Sequence, residues 1–463
     1  MPLILGTNSI KDTGYDVANS CRFDDGSSDR LTKTYSSSGD RNKFTFSMWL
    51  KRSQISNTTR IFGVYQNAQY STTSYISGGG NFVFIDTYNS GEQAKAVTDM
   101  VFRDVSAWYN IIVVYDRNNS TSADKLIIYV NGERVSLSTY TAPSQATTLN
   151  SDGLLHEIGA FNNSDFYDGY ISEFVFCDGQ ALDQTSFGEF DSDTNIWKPI
   201  DVSGLTFGTN GFYLDYEDSS SLGNDAAGSN NFTVSNLTAI DQSTDTCTNN
   251  SATIGTLFTG VNSPTYSEGN LQSYSNAAFT SVIPSSIGLA SGKWYAELKY
   301  AATTSNDNTG IGIGHDPASA NRSNTDQGGY SINYYASGYI DLYGSNGGTF
   351  SSYTVGDIIG IYMDIDNQKL YFSKNGTLQN SGTGLNITTS TTGFYYFQVA
   401  DFTSTSNFWT WQWNFGAGCP FAISSGNTDD NGYGNFEYSP NITGDSTAKK
   451  FYACNTKNLA EYG

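Results

Sequence analysis

Ile111-Ile-Val-Val-Tyr-Asp116, a loop of eight residues and Lys125-Leu-Ile-Ile-Tyr-Val-Asn-Gly132 spell a strand hairpin. The chain spells it again as Ile359-Gly-Ile-Tyr-Met-Asp364, a loop of four and Lys369-Leu-Tyr-Phe-Ser-Lys-Asn-Gly376. The apolar runs are short, β-branched and aromatic, and Asp and Asn-Gly bound them, which suits paired strands and is too short for helices. Asn-Gly ends each copy because a tight turn needs positive φ, free for Gly and tolerated by Asn. Two hairpins imply two cores. Their loops differ in length and nothing recurs at a fixed period, so two related sandwiches are expected and a solenoid is excluded.

Composition agrees. All-β sandwiches run long, so 463 residues suit two domains with connecting segments. The 32 Tyr and 28 Phe against 4 Met and 8 Pro fit short strands joined by polar turns. No window keeps apolar residues at helical spacing. The net charge of −22 disfavours nucleic acid and anionic membranes, which need clustered positive charge. Cys21, Cys177, Cys247, Cys419 and Cys454 are odd in number and scattered, so neither a zinc site nor a disulfide framework is indicated. The apolar start Met1-Pro-Leu-Ile-Leu-Gly6 is too short for a signal peptide or a spanning helix, and synthesis and folding in a cytoplasm are expected.

Residues 1–200 carry the first sandwich. Phe44-Thr-Phe-Ser-Met-Trp-Leu50 alternates with Trp49 opposite the other apolar residues, and Ile61–Tyr65, Asn81–Ile85, Trp108–Asp116, His156–Phe161 and Tyr167–Phe176 follow as strands. The order of Phe-Thr-Phe-Ser-Met-Trp-Leu, Trp-Tyr-Asn-Ile-Ile-Val-Val-Tyr-Asp, Leu-Ile-Ile-Tyr-Val-Asn-Gly and Asp-Gly-Tyr-Ile-Ser-Glu-Phe resembles the laminin G-like, concanavalin A-type jelly roll. That fold hosts lectins, adhesion modules and glycanases alike, so the resemblance specifies fold more than function.

Residues 201–254 read as a connector with a closing strand, Gly211–Tyr216, and an acidic turn after it. Asp215, Asp218 and Asp225 are the candidate calcium ligands, because a hard cation collects carboxylate and carbonyl oxygens, although the spacing is not that of a dedicated calcium loop. Residues 255–422 carry the second sandwich. Gly-Lys-Trp-Tyr-Ala-Glu297, Gly-Asp-Ile-Ile-Gly360, Asp-Asn-Gln-Lys-Leu-Tyr-Phe-Ser-Lys-Asn-Gly376 and Asn-Phe-Gly416, in that order, resemble a SPRY domain. The resemblance implies an interaction module without catalytic residues, whose loops around 301–309, 317–329 and 400–409 set the partner. Residues 423–463 read as an extended arm that orders only against a neighbour.

Catalytic chemistry finds little purchase. A glycanase of this fold needs two carboxylates about 5 to 10 Å apart. Glu189-Phe-Asp-Ser-Asp193 has the spacing, yet it sits between Gly188 and Thr194-Asn195 without apolar flanks and reads as a surface turn. His156 and His315 lie in strand contexts, and no Gly-x-Ser-x-Gly accompanies them. No catalytic residue is assigned, and a non-enzymatic protein is expected. Binding is the remaining class. Tyr330, Tyr334, Tyr335, Tyr339 and Tyr343 crowd one stretch and are the candidate ligand-binding residues, since aromatic faces stack on sugars and anchor interfaces. Trp409, Trp411 and Trp413 share one strand face and read as core.

An all-β chain of two tandem jelly-roll-like sandwiches with an extended terminal arm describes a display or adhesion protein. The pairing, the Met-Pro-Leu-Ile-Leu-Gly start, the connector Gly204-Leu-Thr-Phe-Gly-Thr-Asn-Gly-Phe-Tyr-Leu-Asp-Tyr216 and the ending Ala453-Cys-Asn-Thr-Lys-Asn-Leu-Ala-Glu-Tyr462 resemble structural proteins of marine tailed bacteriophages. The resemblance implies a virion surface component, a tail fibre or a capsid fibre or decoration, that binds host-surface glycan or protein and contacts other virion proteins, with no nucleic acid bound and no membrane insertion. A homo-oligomer is expected. Trimers are common for viral fibres, but no heptad seam specifies one. A purely architectural virion protein is the alternative, and a glycan depolymerase the third reading.

Overall fold

The computed structural model describes residues 12–257, 264–275, 280–303, 309–315, 330–402, 408–443 and 449–463. They form two compact units, residues 12–249 and 250–463. The apolar start and most of the loops at 301–309, 317–329 and 400–409 lie outside the described residues.

In the first unit one sheet runs β10 (Glu133–Arg134), β9 (Leu126–Val130), β8 (Trp108–Asp116), β3 (Lys43–Arg52), β13 (Gly169–Asp178), β1 (Ser20–Phe23) and β18 (Gln242–Ser243). β16 (Phe212–Leu214) also pairs with β13. The facing sheet runs β11 (Leu137–Thr141), β7 (Gly91–Thr98), β6 (Phe82–Tyr88), β5 (Tyr70–Ile76), β4 (Thr59–Asn67), β12 (Leu155–Ile158), β2 (Arg30–Thr34) and β17 (Thr233–Ser235). Alternation builds the core: Phe44, Phe46, Met48 and Leu50 of β3 point inward to meet Phe62, Val64 and Phe84 of the other sheet. The outer face of the first sheet is covered as well. There Ile112, Val114 and Cys177 meet Phe187 and Val202, and Trp49, Trp108 and Tyr170 meet Trp197, so the hairpin of β14 (Gly188–Phe190) and β15 (Trp197–Pro199) straps a third layer onto the sandwich.

The stretch 201–254 is more than a connector. β16, β17 and β18 each extend a sheet, and Leu222, Phe232 and Leu237 enter the core. β16 falls inside the stretch Gly211–Tyr216 read as a strand, whereas β17 and β18, of three and two residues, are too short to display a period of two and sequence patterning passes over them.

The second unit repeats the plan. One sheet runs β19 (Thr265–Ser267), β20 (Gln272–Ser275), β32 (Trp409–Asn414), β22 (Lys293–Thr303), β27 (Ile358–Asp364), β28 (Lys369–Lys374) and β29 (Thr377–Leu378), with β30 (Leu385–Asn386) on β28. The other runs β21 (Thr280–Pro284), β31 (Tyr396–Phe402), β23 (Thr309–Gly314), β24 (Ser331–Tyr335), β25 (Tyr339–Leu342) and β26 (Ser345–Thr349). Trp409, Trp411 and Trp413 are fully buried between them. The arm 423–463 is expected to order only against a neighbour, and its described residues, 423–443 and 449–463, find that neighbour in their own unit. β33 (Tyr452–Ala453) pairs parallel with β22, and Phe436, Ile442 and Phe451 cover Tyr295, Tyr362 and Tyr371 on the outer face of its sheet. α1 (Thr456–Tyr462) follows, capped by the Asn455 side chain accepting from Asn458 N. Among the described residues no helix is long and apolar enough to cross a membrane.

Both Asn-Gly pairs take positive φ, 46° and 79° at Asn131-Gly132 and 47° and 77° at Asn375-Gly376, as a two-residue turn of the mirror-image type requires. They do not close the long hairpins, however. Each folds the second strand back into a short third one, β9 into β10 and β28 into β29.

Candidate functional site

The five tyrosines do not share a surface. On β24 the alternation that sends Ile332 into the core sends Tyr334 with it. Tyr334 is fully buried, its hydroxyl donating to Ser351 O, and cannot reach a ligand. Tyr335 points the other way, against Val282 and Ala400, with its ring 5.9 Å from that of exposed Tyr339. Tyr330 and Tyr343 form a separate group around buried His315, at ring distances of 5.3 and 6.2 Å, and Tyr395 adds a third ring at 6.2 Å. The Tyr343 hydroxyl accepts from Thr388 N at 2.9 Å.

The acidic turn spends its carboxylates locally. Asp215 accepts from Glu217 N, Asp218 from Ser220 N and Oγ, and buried Asp225 from Tyr213 N, Ala227 N and Asn230 N. Among the described residues no three His, Cys, Asp or Glu side chains gather as a metal would need. Glu189 and Asp191 both lie beside Lys198 Nζ, at 3.3 and 3.5 Å, and their hairpin belongs to the strap.

A surface that the sequence reading did not single out lies on the outer face of the β11–β17 sheet. Gly63 of β4 aligns with Glu157 of β12 on one side and Thr73 of β5 on the other. A Cβ on Gly63 would lie 2.8 Å from Thr72 O, 2.9 Å from Thr73 Cβ and 3.0 Å from Phe161 Cδ2. The bare backbone at Gly63 therefore lets the Phe161 ring lie against the sheet. Phe161 is delivered by the turn 161–164, where Phe161 and Ser164 exchange backbone hydrogen bonds and Asn162 and Asn163 take φ of 54° and 55°. The Glu157 carboxylate pins that turn by accepting from Asn163 N at 3.1 Å. Tyr65 stands edge-on to Phe161 at 5.6 Å. The Arg60 guanidinium lies 4.2 Å from the Tyr75 ring and 5.0 Å from the Phe161 ring, and its Nε pairs with Asp165 at 3.2 Å. Arg60, Tyr65, Tyr75 and Phe161 are all half-buried. The result is a platform of three aromatic rings and one guanidinium on a rigid sheet, suited to stacking on the C–H faces of a sugar and to donating hydrogen bonds at its rim. Its two carboxylates are occupied, Glu157 by a backbone N–H and Asp165 by Arg60. The one signal in the sequence was a glycine inside the strand Ile61–Tyr65, which marks a close approach without naming the visitor.

Two buried carboxyls stand apart from these surfaces. Glu173 sits at the bulge of β13 with φ of 50°, accepting from Tyr213 Oη at 2.8 Å and Tyr15 Oη at 3.3 Å. Burial pushes it from 4.5 up to about 7, the hydroxyls opposing. Asp86, which accepts from Thr72 Oγ1, is likewise pushed by burial from 3.8 up to about 7. A folded-state value above the unfolded one means that the native state holds the proton more tightly. The stabilisation, ~3 kcal/mol for Glu173 and ~4 kcal/mol for Asp86, is fully present below about pH 4 and lost as pH rises to about 7. The urea midpoint is therefore expected to fall between about pH 5 and about pH 8, and Glu173→Gln should remove ~3 kcal/mol of that fall. A Glu173→Gln protein with the same pH dependence as the native one would sink the assignment.

Residues 25–185, which include the whole platform, match the family model of the concanavalin A-like lectin/glucanases superfamily. No curated protein matches the chain. Among solved structures, the SPRY domain of human HERC1 is 18% identical, covering 33% of this chain and 91% of that one with a TM-score of 0.27. A native heptameric SAP-like pentraxin from Limulus polyphemus is 17% identical over 33% of this chain and 71% of that one, TM-score 0.26. Domains LG4-5 of the mouse laminin alpha1 chain are 13% identical over 88% of each chain, TM-score 0.30.

Proposed function

We propose that the chain is a non-enzymatic binding protein that takes a glycan on the outer face of its first sandwich, and that it serves on a virion surface as a fibre or decoration contacting host glycan. The observation that carries the glycan reading is the platform of Tyr65, Tyr75 and Phe161 around Arg60, carried by β4, β5 and the turn 161–164 and lying within the segment that matches a lectin and glucanase superfamily. A binding role is favoured over hydrolysis because Glu157, one of only two carboxylates at the platform, is buried beneath the Phe161 turn and bonded to Asn163 N, whereas a glycanase needs a pair, one to protonate and one to attack or activate water. The virion role rests on the likeness of the domain pairing and of the terminal stretches to tailed-phage structural proteins.

The test is binding of the full chain to host cells and to a panel of extracted glycans, with and without calcium. Saturable, glycan-competed binding is expected, and Phe161→Ala should weaken it about ten-fold, the loss of one stacking ring, with the circular dichroism unchanged. Loss of binding on chelation would bring calcium into the site. Absence of binding, combined with attachment to particles lacking the protein, would make it an architectural virion component.

A further inference from the structure

We propose that the glycan held on this face is acidic, its carboxylate or sulfate groups met by Arg60 and Arg30. The inference rests on the glycan reading above and adds the ligand's charge. The chain carries 45 acidic against 23 basic residues, and a neutral sugar needs no cation, yet two arginines occupy this one sheet face, each over an aromatic ring. Arg30 lies 5.9 Å from the Phe166 ring, and Arg60 lies against Tyr75 and Phe161. A guanidinium lying over a ring keeps its N–H donors in its own plane, directed past the ring edge; Arg30 Nη1 donates to Ser28 O at 3.0 Å and Arg60 Nε to Asp165, and the remaining N–H groups of each are the ones that can meet a planar or tetrahedral oxyanion.

The two sites lie one residue apart in register. Ile158 of β12 aligns with Leu31 of β2 and with Phe62 of β4; Arg30 directly precedes Leu31, whereas Arg60 is two residues before Phe62, and the bulge of β4 between Arg60 and Phe62 turns Arg60 to the outer face beside Tyr75, so the two arginines stand near matching ends of strands separated by β12. Two strand spacings are about 10 Å, close to one disaccharide, which suits a polymer with a charge on each repeat. The other charged groups on the face do not oppose this. Glu157 is buried and bonded to Asn163 N, and Lys95 is paired with Glu92. Asp165 is the exception, bound to Arg60 Nε with its side chain 48% exposed. An exposed pair of this kind is weak, so Asp165 holds the guanidinium in place and yields to a ligand anion.

That makes Asp165 the discriminating position. Asp165→Asn keeps the left-handed backbone, φ 51°, which Asn tolerates, and keeps the carbonyl that accepts from Arg60 N. Binding of the full chain is measured to polygalacturonate, alginate and heparin and to their carboxyl-reduced or desulfated counterparts. At least one acidic polymer should bind about ten-fold more tightly than its neutralised form, Arg60→Gln should lose about ten-fold and Asp165→Asn should gain about three-fold, with the gain shrinking as salt is raised. Equal affinity for charged and neutralised polymers, or weaker binding by Asp165→Asn, overturns the acidic assignment and leaves the glycan reading standing if Phe161→Ala still weakens binding. Binding to no glycan at all removes both.

Discussion

Glu297→Ala is expected to loosen the C-terminal strap from the second sandwich and to destabilise that unit by about 4 kcal/mol, because it leaves several buried donors without an acceptor. Glu297 lies on the strap-facing side of β22, between the inward-pointing Ala296 and Leu298, and is completely buried. Its carboxylate accepts from Tyr438 N at 2.7 Å, Glu437 N at 2.9 Å, Tyr295 Oη at 3.0 Å and Asn414 Nδ2 at 3.1 Å. Two of these donors belong to the strap, so one side chain ties residues 437 and 438 to a strand 140 positions earlier in the chain. Burial pushes the Glu297 carboxyl up to about 7, and the four donors pull against that shift. Glu297→Gln retains one acceptor oxygen but turns an NH₂ toward donors, and should cost about half as much as the alanine. Urea unfolding gives the cost, and limited proteolysis shows where it falls, with new cleavage expected within 424–443. An alanine variant that unfolds like the native protein and resists protease there would mean that Phe436, Ile442 and Phe451 hold the strap by themselves.

The case of Glu297 also shows where sequence reading stops. Its motif, Gly-Lys-Trp-Tyr-Ala-Glu, was legible as an alternating strand, and so were the inward residues of β3 and the burial of Trp409, Trp411 and Trp413, because a period of two is local and each residue reports its own face. The strap was not legible. Asn-, Gly- and Asp-rich stretches look alike whether they trail into solvent or lie in irregular conformation against a sheet, and only partners such as Glu297, remote in sequence, separate the two. The aromatic platform was hidden for a related reason. Arg60, Tyr65, Tyr75 and Phe161 come from three separate segments, and nothing in any one of them records that the Phe161 turn folds over Gly63. The Tyr330–Tyr343 stretch shows the opposite effect: closeness in sequence suggests a shared surface, whereas alternation on β24 buries Tyr334 and leaves Tyr335 outside.

The repeated Asn-Gly turn allows a prediction in which the two halves of the chain act as controls for each other. In both copies the Asn side chain reaches back to the first strand of its hairpin: Asn131 Oδ1 accepts from Asn110 N at 2.8 Å, and Asn375 Oδ1 from Ile358 N at 2.9 Å. In both, a strap aromatic then lies on the bare face of the glycine. A Cβ on Gly132 would fall among the ring atoms of Trp197, and one on Gly376 would lie 2.6 Å from Tyr438 Cδ1. Alanine at either position incurs the left-handed strain, about 1 kcal/mol. What differs is the ring. Trp197 is only 7% exposed, packs in the layer of Trp49, Trp108 and Tyr170, and donates from Nε1 to Asn110 Oδ1 at 3.0 Å, so it cannot swing aside without giving up both. Tyr438 is half-buried and can turn outward. Gly132→Ala should therefore cost about 4 kcal/mol and Gly376→Ala about 1.5 kcal/mol. In a Trp197→Ala background, Gly132→Ala should fall to the strain alone, about 1 kcal/mol, so the double-mutant cycle isolates the clash. Equal costs at the two glycines, or an undiminished cost of Gly132→Ala without Trp197, would place the whole effect in the backbone and remove the strap from the account.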